Sequence, residues 1–429
     1  MHLQAFFLGI AGLVIACLPS NGAENDPAAS PVFKEFVQQA RVQANAPQAG
    51  GFFGYHLDLS ADGRVMAVGA YGSVYVFTRV GETWTQQARF ESSAGASEYF
   101  GIAVALSANG DTLAIGAHFA FGPNNAYASG RVYVYTNANG TWALQARVQA
   151  GDAVEHGHFG TVTISADGNT LAVGAYAYDL AHARSGKVHI FTRSDGMWTE
   201  QSRLQASDAA GTDCFGVSVA LAADGNTLAV SAYCAENSGG VGAGNAYMFA
   251  RAGSVWTEQA RLQASDPAAE VRFGTRIAIS ADGSTMATGA YLARNSGGEA
   301  AGNAYVFTRS DGVWTEQSRL QASDAAPDGR FGTSLALNAD GSMLAVGAYA
   351  STNSGGVNAG NAYVFTRTGD TWTERSRLQA SDAAAGDYFG IRVAMCPDGS
   401  TLAVGAYGVS NSGLFQAGRV YVFVRKSSP

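Results

Sequence analysis

Charge is scarce in this sequence. Only 14% of residues are Asp, Glu, Lys or Arg, the formal net charge is −8, and lysine occurs only at Lys34, Lys187 and Lys426. A chain without a basic face cannot neutralise a phosphate backbone, so nucleic acid is not an expected partner. Familiar catalytic signatures are missing as well: there is no H-E-x-x-H, no G-x-S-x-G elbow and no phosphate loop. No apolar run is long enough to cross a bilayer comfortably; the longest, residues 5–16, has the length of a signal-peptide core.

That run sets the expected organisation: a signal peptide over residues 1–22, a linker over 23–32 and one folded unit over 33–429. The leader is atypical in that Met1-His2-Leu3-Gln4 carries no Lys or Arg. Val14-Ile15-Ala16-Cys17 fits a bacterial lipobox, which would make Cys17 a lipidation site and the only tie to a membrane, while Ser20-Asn21-Gly22-Ala23 fits ordinary signal peptidase equally well. Either route predicts an exported protein: secreted, periplasmic or held at the cell surface.

What is abundant is glycine, 54 residues, within a composition that is 47% hydrophobic. This mixture suits many short strands joined by tight turns. The strands repeat about every 58 residues. A Phe-Gly pair falls at Phe53, Phe100, Phe159, Phe215, Phe273, Phe331 and Phe389, and a turn pair follows at Asp62-Gly63, Asn109-Gly110, Asp167-Gly168, Asp224-Gly225, Asp282-Gly283, Asp340-Gly341 and Asp398-Gly399. In the fifth copy Phe273-Gly274 opens a strand ending at Ser280, residues 285–291 return, 303–309 give a third strand and 313–322 a fourth. The Asp-Gly turns are read as two-residue hairpins with both central residues at positive φ. Four strands per unit and seven units predict an all-β, seven-bladed β-propeller.

The ends of the chain complete one another. Trp84, Trp142, Trp198, Trp256, Trp314 and Trp372 share one position on the fourth strand, each five residues before an Arg, and the seventh copy stops after its third strand. Residues 36–44, FVQQARVQA, match residues 256–264, WTEQARLQA, with Phe36 in the Trp place. The N-terminal strand is therefore expected to complete the last blade, leaving no open edge and a monomer. The aromatic position is read as packing between blades.

The pairing of Phe-Gly with a downstream Gly-Ala, as in Phe331-Gly332 and Gly347-Ala348, resembles the FG-GAP repeat of the integrin α-chain propeller and its bacterial relatives. The resemblance covers residues 33–424 and implies a ring that binds protein or glycan partners at a cell surface. Integrin-type blades commonly hold calcium on a D-x-D-x-D-G-x-x-D loop; here the matching segment, Ser280-Ala281-Asp282-Gly283-Ser284-Thr285, has one carboxylate, short of the six to eight oxygens calcium takes. No cofactor is expected from these turns.

Ligand candidates lie on the face that carries the variable loops between second and third strands and the links between blades. The loops repeat Asn-Ser-Gly at Asn237, Asn295, Asn353 and Asn411, and the links repeat Ala-Ser-Asp at Asp208, Asp266, Asp324 and Asp382, with second acids at Asp213, Glu270, Asp328 and Asp387. A ring of carboxylates and amides would hold a cation or sugar hydroxyls; the same residues also stabilise turns by bonding nearby backbone. Tyr71, Tyr176, Tyr233, Tyr291, Tyr349 and Tyr407 would line that face for sugar stacking or act as wedges. His118, His156, His158, His182 and His189 break the repeat but form no compact metal motif. Cys214 and Cys234, found only in the fourth copy and nearly equidistant from its turn, are expected to form a disulfide; Cys396 is expected to be a buried thiol.

The function these features lead to is binding or adhesion, with a protein or polysaccharide partner. Two alternatives stay open: a propeller enzyme acting on glycans, with acids from several blades meeting at the central channel, and a structural envelope protein.

Overall fold

The computed structural model describes residues 35–92, 95–122, 125–176, 185–411 and 413–426. The expected signal peptide, Cys17, the linker and His182 lie outside the described residues.

Runs such as TLAVGA (Thr170–Ala175) carry no charge on either face and are buried at every position, as a strand enclosed on both sides requires. By contrast VWTEQARL (Val255–Leu262) alternates exposed and half-buried residues and forms an outer edge. These strands assemble into seven four-stranded antiparallel sheets among the described residues. Blade 1 consists of His56–Leu59, Val65–Ala70, Ser73–Val80 and Thr83–Glu91, and each following Phe-Gly marker begins another blade. The first strands pack side by side in an unbroken round, with His56–Leu59 of blade 1 against Arg392–Met395 of blade 7. The seven marker phenylalanines are at most 2% exposed. Each packs edge-on against rings of its own blade's third strand, as Phe273 does with Tyr305 and Phe307 at 5.3 and 6.0 Å.

Ring closure is as the repeat arithmetic requires. Phe36–Val42 pairs antiparallel with Arg419–Arg425, Phe36 opposite Arg425 and Val42 opposite Val420. Its side chains reproduce a fourth strand's contacts. Gln38 makes two hydrogen bonds to Ser381, one donated and one accepted, where Glu258 accepts two from Ser207, and Arg41 reaches Asp382 at 2.9 Å, as Arg261 reaches Asp208. The tryptophans serve blade packing. Trp198 and Trp372 donate their indole N–H groups to Gln145 and Gln317 of the preceding blades. Five of the six lie under an arginine, among them Trp84 beneath Arg79 at 5.6 Å. Only Trp314 and Trp372 are fully buried.

Two local expectations are corrected. The Phe-Gly pair opens the first strand in blades 2, 3 and 6 only; in blade 5 the strand is Ile277–Ile279. There Phe273 N–H bonds Ala243 of the preceding blade and Gly274 sits at φ +95°, so the marker spends its backbone between blades before the ladder starts. The Asp-Gly turns are also not two-residue hairpins. Gly63 is left-handed but Asp62 is not, and Gly63 N–H bonds Ser60 C=O, giving a four-residue turn ended by glycine. The double positive φ occurs instead at the outer hairpins, at Asn139-Gly140, Asp195-Gly196 and Asp311-Gly312.

Those inner turns form a belt. Ala61 N–H bonds Ala108 C=O, and the pattern continues through Ala166, Ala223, Ala281 and Ala339 to Pro397 C=O, with distances of 2.7–3.1 Å. Pro397 has no N–H to return to Ala61, so the belt is open between blades 7 and 1. A second ring of contacts needs glycine for space: a Cβ on Gly116, Gly174, Gly289 or Gly347 would stand 1.8–1.9 Å from a backbone oxygen of the next blade's Phe-Gly glycine.

Cys214 and Cys234 form the expected disulfide, with Cα atoms 5.6 Å apart, and Cys396 is a buried free thiol. Replacing both bridged cysteines by alanine is expected to lower stability by about 2–3 kcal/mol, read as an earlier denaturation midpoint that reducing agent does not shift further.

Candidate functional site

The carboxylates and amides anticipated as ligand groups are occupied by the protein itself. Asp208 accepts from Tyr247 Oη at 2.8 Å and pairs with Arg261. Asp266 binds Tyr305 and Arg319, Asp324 binds Tyr363 and Arg377, and Asp382 binds Tyr421, Arg41 and Arg419. Each of these tyrosine rings is almost fully buried. In every case the blade link is pinned to the blade it leads into. Burial and the adjacent carboxylate hold the hydroxyls of Tyr247, Tyr305, Tyr363 and Tyr421 above the usual phenol range. Asn237 donates to Gly244 C=O and accepts from Gly239 N–H; Asn295 and Asn353 repeat this, while Asn411 donates to Gly418 C=O and accepts from Arg419. Of the second acids, Asp213 and Asp387 accept from backbone N–H groups of their own links, and Glu270 and Asp328 pair with Arg272 and Arg330. Blade 3 departs from the pattern: His189 stands where the others have tyrosine, within a network of Asp152, Lys187, Glu200 and Arg203. These neighbours hold Glu200 down at about 2 against the pull of burial.

Among the described residues no group of three or more His, Cys, Asp or Glu converges as a metal would require. The inner turns do not suit calcium either, because the single carboxylate is turned onto its own loop; Asp282 accepts from Ser280 Oγ at 2.6 Å and Ser284 N–H at 3.0 Å.

The loop-rich face carries a different set of side chains around the channel mouth. The residue before each Phe-Gly marker is left-handed in all seven blades: Phe52, Tyr99, His158, Cys214, Arg272, Arg330 and Tyr388 have φ between 50° and 62°. Non-glycine residues rarely adopt this conformation. Here the backbone is constant while the side chain varies from blade to blade. These positions alternate with the tyrosines named from sequence to form a crown. Tyr349, Tyr388, Tyr407, Phe52, Tyr71, Tyr99, Phe119, His158 and Tyr176 follow one another with ring centroids 4.5–6.4 Å apart. Arg272 over Tyr233 and Arg330 over Tyr291, at 5.4 and 5.8 Å, fill the remaining arc. A hollow of about 620 Å³ opens among Phe52, Tyr55, Tyr71, Tyr99 and Tyr407.

Inside the crown the axial channel is lined by all seven first strands. At one repeat offset it presents His56, Ala103, Thr161, Ser218, Arg276 and Arg392, with Ser334 buried at the equivalent place in blade 6, and two residues further on Asp58, Ala105, Thr163, Ala220, Ala278, Ala336 and Ala394. Several of the polar groups sew neighbouring strands together. His56 Nδ1 accepts from Val104 N–H, Ser218 Oγ from Ile277 N–H and Ser334 Oγ from Val393 N–H. Burial and the two arginines keep His56 well below its usual pKa, consistent with that acceptor role. His118, between Thr161 and Tyr176, is lowered to about 3 by burial and by His158.

The arginines differ. Arg392 is 7% exposed, and among the described residues its side chain makes one hydrogen bond, a 3.5 Å contact from Nε to Tyr55 C=O. Among the described residues neither Arg276 nor Arg392 pairs with a carboxylate. Burial lowers both guanidinium pKa values, and for Arg392 the charge of Arg276 adds to it.

Asp58, one layer deeper, accepts from Leu106 and Leu59 N–H, both at 2.8 Å, yet burial raises it to about 6. The carboxyl lines the channel and is half-buried among the first strands. A carboxyl raised in the folded state favours folding most below its unfolded pKa near 4, and that benefit disappears as pH rises through about 6. The stability advantage of the native chain over Asp58→Asn is therefore expected to shrink by about 2 kcal/mol between pH 4 and pH 7. Urea denaturation of both proteins at the two pH values checks this; a constant difference would refute it.

Among solved structures, the β-propeller domain of Myceliophteria thermophila Cps50 (Swd1) is similar in fold. It has a TM-score of 0.58 and 10% identity over 91% of this chain and 100% of that one. No curated protein sequence matches the chain. The FG-GAP repeat pattern matches at residues 84–135, 142–191, 198–249, 256–307, 314–365 and 372–423. Each match starts at the fourth-strand tryptophan and ends in the next blade's third strand, so the unit that recurs in sequence straddles the boundary between two blades. With most of its length in these repeats, the chain belongs to the FG-GAP repeat family.

Proposed function

We propose that this protein is an extracytoplasmic binding or adhesion-type propeller that recognises a protein or polysaccharide through its crown. The observation that carries the reading is the ring of seven left-handed positions occupied by five different residue types, Phe, Tyr, His, Cys and Arg. A scaffold preserves its repeat, whereas a specific surface breaks it. Half-buried aromatic and arginine side chains are also the groups that dominate recognition surfaces. The disulfide supports export, since such bonds persist in oxidising compartments. The link carboxylates belong to the scaffold in this reading.

The test is a screen of immobilised glycans and surface proteins with the purified protein and two variants. Tyr71→Ala/Tyr407→Ala is expected to weaken the best ligand at least about tenfold, while Asp266→Asn leaves affinity unchanged and lowers only the melting temperature. Loss of binding with Asp266→Asn alone would move the site from the crown to the links. A glycan-cleaving enzyme would centre on Asp58, but a glycosidase takes two facing carboxyl groups, and the described channel lining supplies one.

A further inference from the structure

The crown reading leaves open what kind of ligand the face takes, and the channel beneath narrows the choice. Its lining at the upper layer is otherwise small or neutral: Ala103, Thr161, Ser218 and a His56 whose Nδ1 is spent as an acceptor, with Ser334 buried at the same offset in blade 6. Into this space of about 250 Å³ two guanidinium groups enter from blades 5 and 7. The hydroxyl groups here are also engaged. Ser218 and Ser334 are bonded to neighbouring strands, and Thr161 donates to Val217 C=O. Two enclosed like charges without a carboxylate partner are costly unless an anion joins them, and guanidinium pairs are the side chains best suited to oxyanions. Asp58, the only carboxylate among the described lining residues, sits in the other layer and accepts two backbone N–H groups.

Resting on the crown as the binding face, we propose that Arg276 and Arg392 form an oxyanion site at the channel mouth that takes a carboxylate or sulfate group of an acidic polysaccharide held by the crown. The polysaccharide class follows from the hollow beside the mouth. Phe52, Tyr55, Tyr71, Tyr99 and Tyr407 offer ring surfaces and phenol hydroxyls in one cavity, which suits a pyranose with its apolar face and hydroxyl edge. Tyr55 joins the two sites, its ring beside Tyr407 at 5.9 Å and its carbonyl accepting from Arg392.

The experiment is calorimetric titration of the purified full-length protein with tetragalacturonate and with its fully methyl-esterified, uncharged counterpart. The same titrations are run on Arg276→Gln/Arg392→Gln and on Tyr71→Ala. The native protein is expected to bind the acid at least about tenfold more tightly than the ester, a difference of about 1.4 kcal/mol. That ratio should fall to about one in the double arginine variant. Tyr71→Ala should weaken acid and ester together. A native ratio near one would overturn the anion site and leave the crown standing. An acid preference that survives loss of both arginines would overturn it as well. Polyglutamate binding with the same arginine dependence, and no binding of either sugar, would overturn the polysaccharide class. Binding of nothing by the native protein would overturn both readings.

A second measurement does not depend on the double variant folding. Sodium sulfate should raise the melting temperature of the native protein saturably, beyond sodium chloride at equal ionic strength, and less so for the single variant Arg276→Gln. Equal shifts with both salts would count against the site.

Discussion

Deleting residues 35–44 from the chain is expected to break the closed ring. The deletion removes Val42 and Ala44 from the apolar cluster shared by blades 7 and 1, the buried Phe36, the Arg41–Asp382 pair and both Gln38–Ser381 bonds. Burial of Phe36 and Val42 alone is worth about 3–6 kcal/mol, a large part of the 5–15 kcal/mol typical of a whole domain. The loss falls at the worst place. Blade 7 is already the blade without a turn-belt bond to blade 1, because Pro397 has no N–H to give. It would also present Arg419–Arg425 as an unpaired edge, a template for other chains. Light scattering after size exclusion should show multimers or aggregate. A synthetic peptide of residues 35–44 should restore both the native elution position and the melting transition by adding itself as a strand. A deleted chain that stayed monomeric and melted like the native one would show that the other blade contacts close the ring unaided.

Gly289→Ala is expected to cost about 3 kcal/mol or more, beyond the usual range for one added methyl group in a core. The new Cβ would lie 1.8 Å from the Gly332 carbonyl oxygen. That oxygen is main chain of the next blade, so relief requires blades 5 and 6 to part instead of a side chain turning aside. Gly289 does not have positive φ, so the effect is one of space and not of backbone conformation. Blade 4 supplies the control. Ser231 already carries a Cβ at the equivalent place, where its hydroxyl accepts from Ser218 N–H at 3.0 Å. Ser231→Ala should then cost only about 1 kcal/mol, the worth of one hydrogen bond. Equal losses for the two alanines in thermal melts would remove the spacing argument.

The ring was legible in the sequence because its evidence is periodic. Seven Phe-Gly pairs, the aligned turns and a displaced fourth strand with Phe36 in the tryptophan place leave little freedom for another topology. The disulfide was legible because two cysteines flank one turn at nearly equal distance. The crown was only half visible. The tyrosines could be named, but nothing in Phe52, Tyr99 or Arg272 announces a left-handed backbone, which those residue types seldom take. The partners of the link carboxylates were not legible: Asp208 and its equivalents recur, but Tyr247 and Arg261, which they bind, lie 39 and 53 residues away. The channel arginines left a signal in the aligned repeats, where Arg276 and Arg392 stand at the offset of Ala103 and Ser334. Composition hides it, since two arginines change nothing in an overall acidic chain.

The closing strand also fixes how the molecule would carry load. Phe36 pairs with Arg425, so the chain enters its last blade from the turn face, opposite the crown. Suppose the protein is held through the segment preceding residue 35 while a partner pulls on the crown. The force then runs along the strand, and the bonds between Phe36–Val42 and Arg419–Arg425 are loaded in shear, all at once. Pulled apart by its two ends instead, the same pair would open like a zipper, one bond after another. A single strand exchange thus gives the ring a strong direction and a weak one, and the strong one is the axis that runs through the crown.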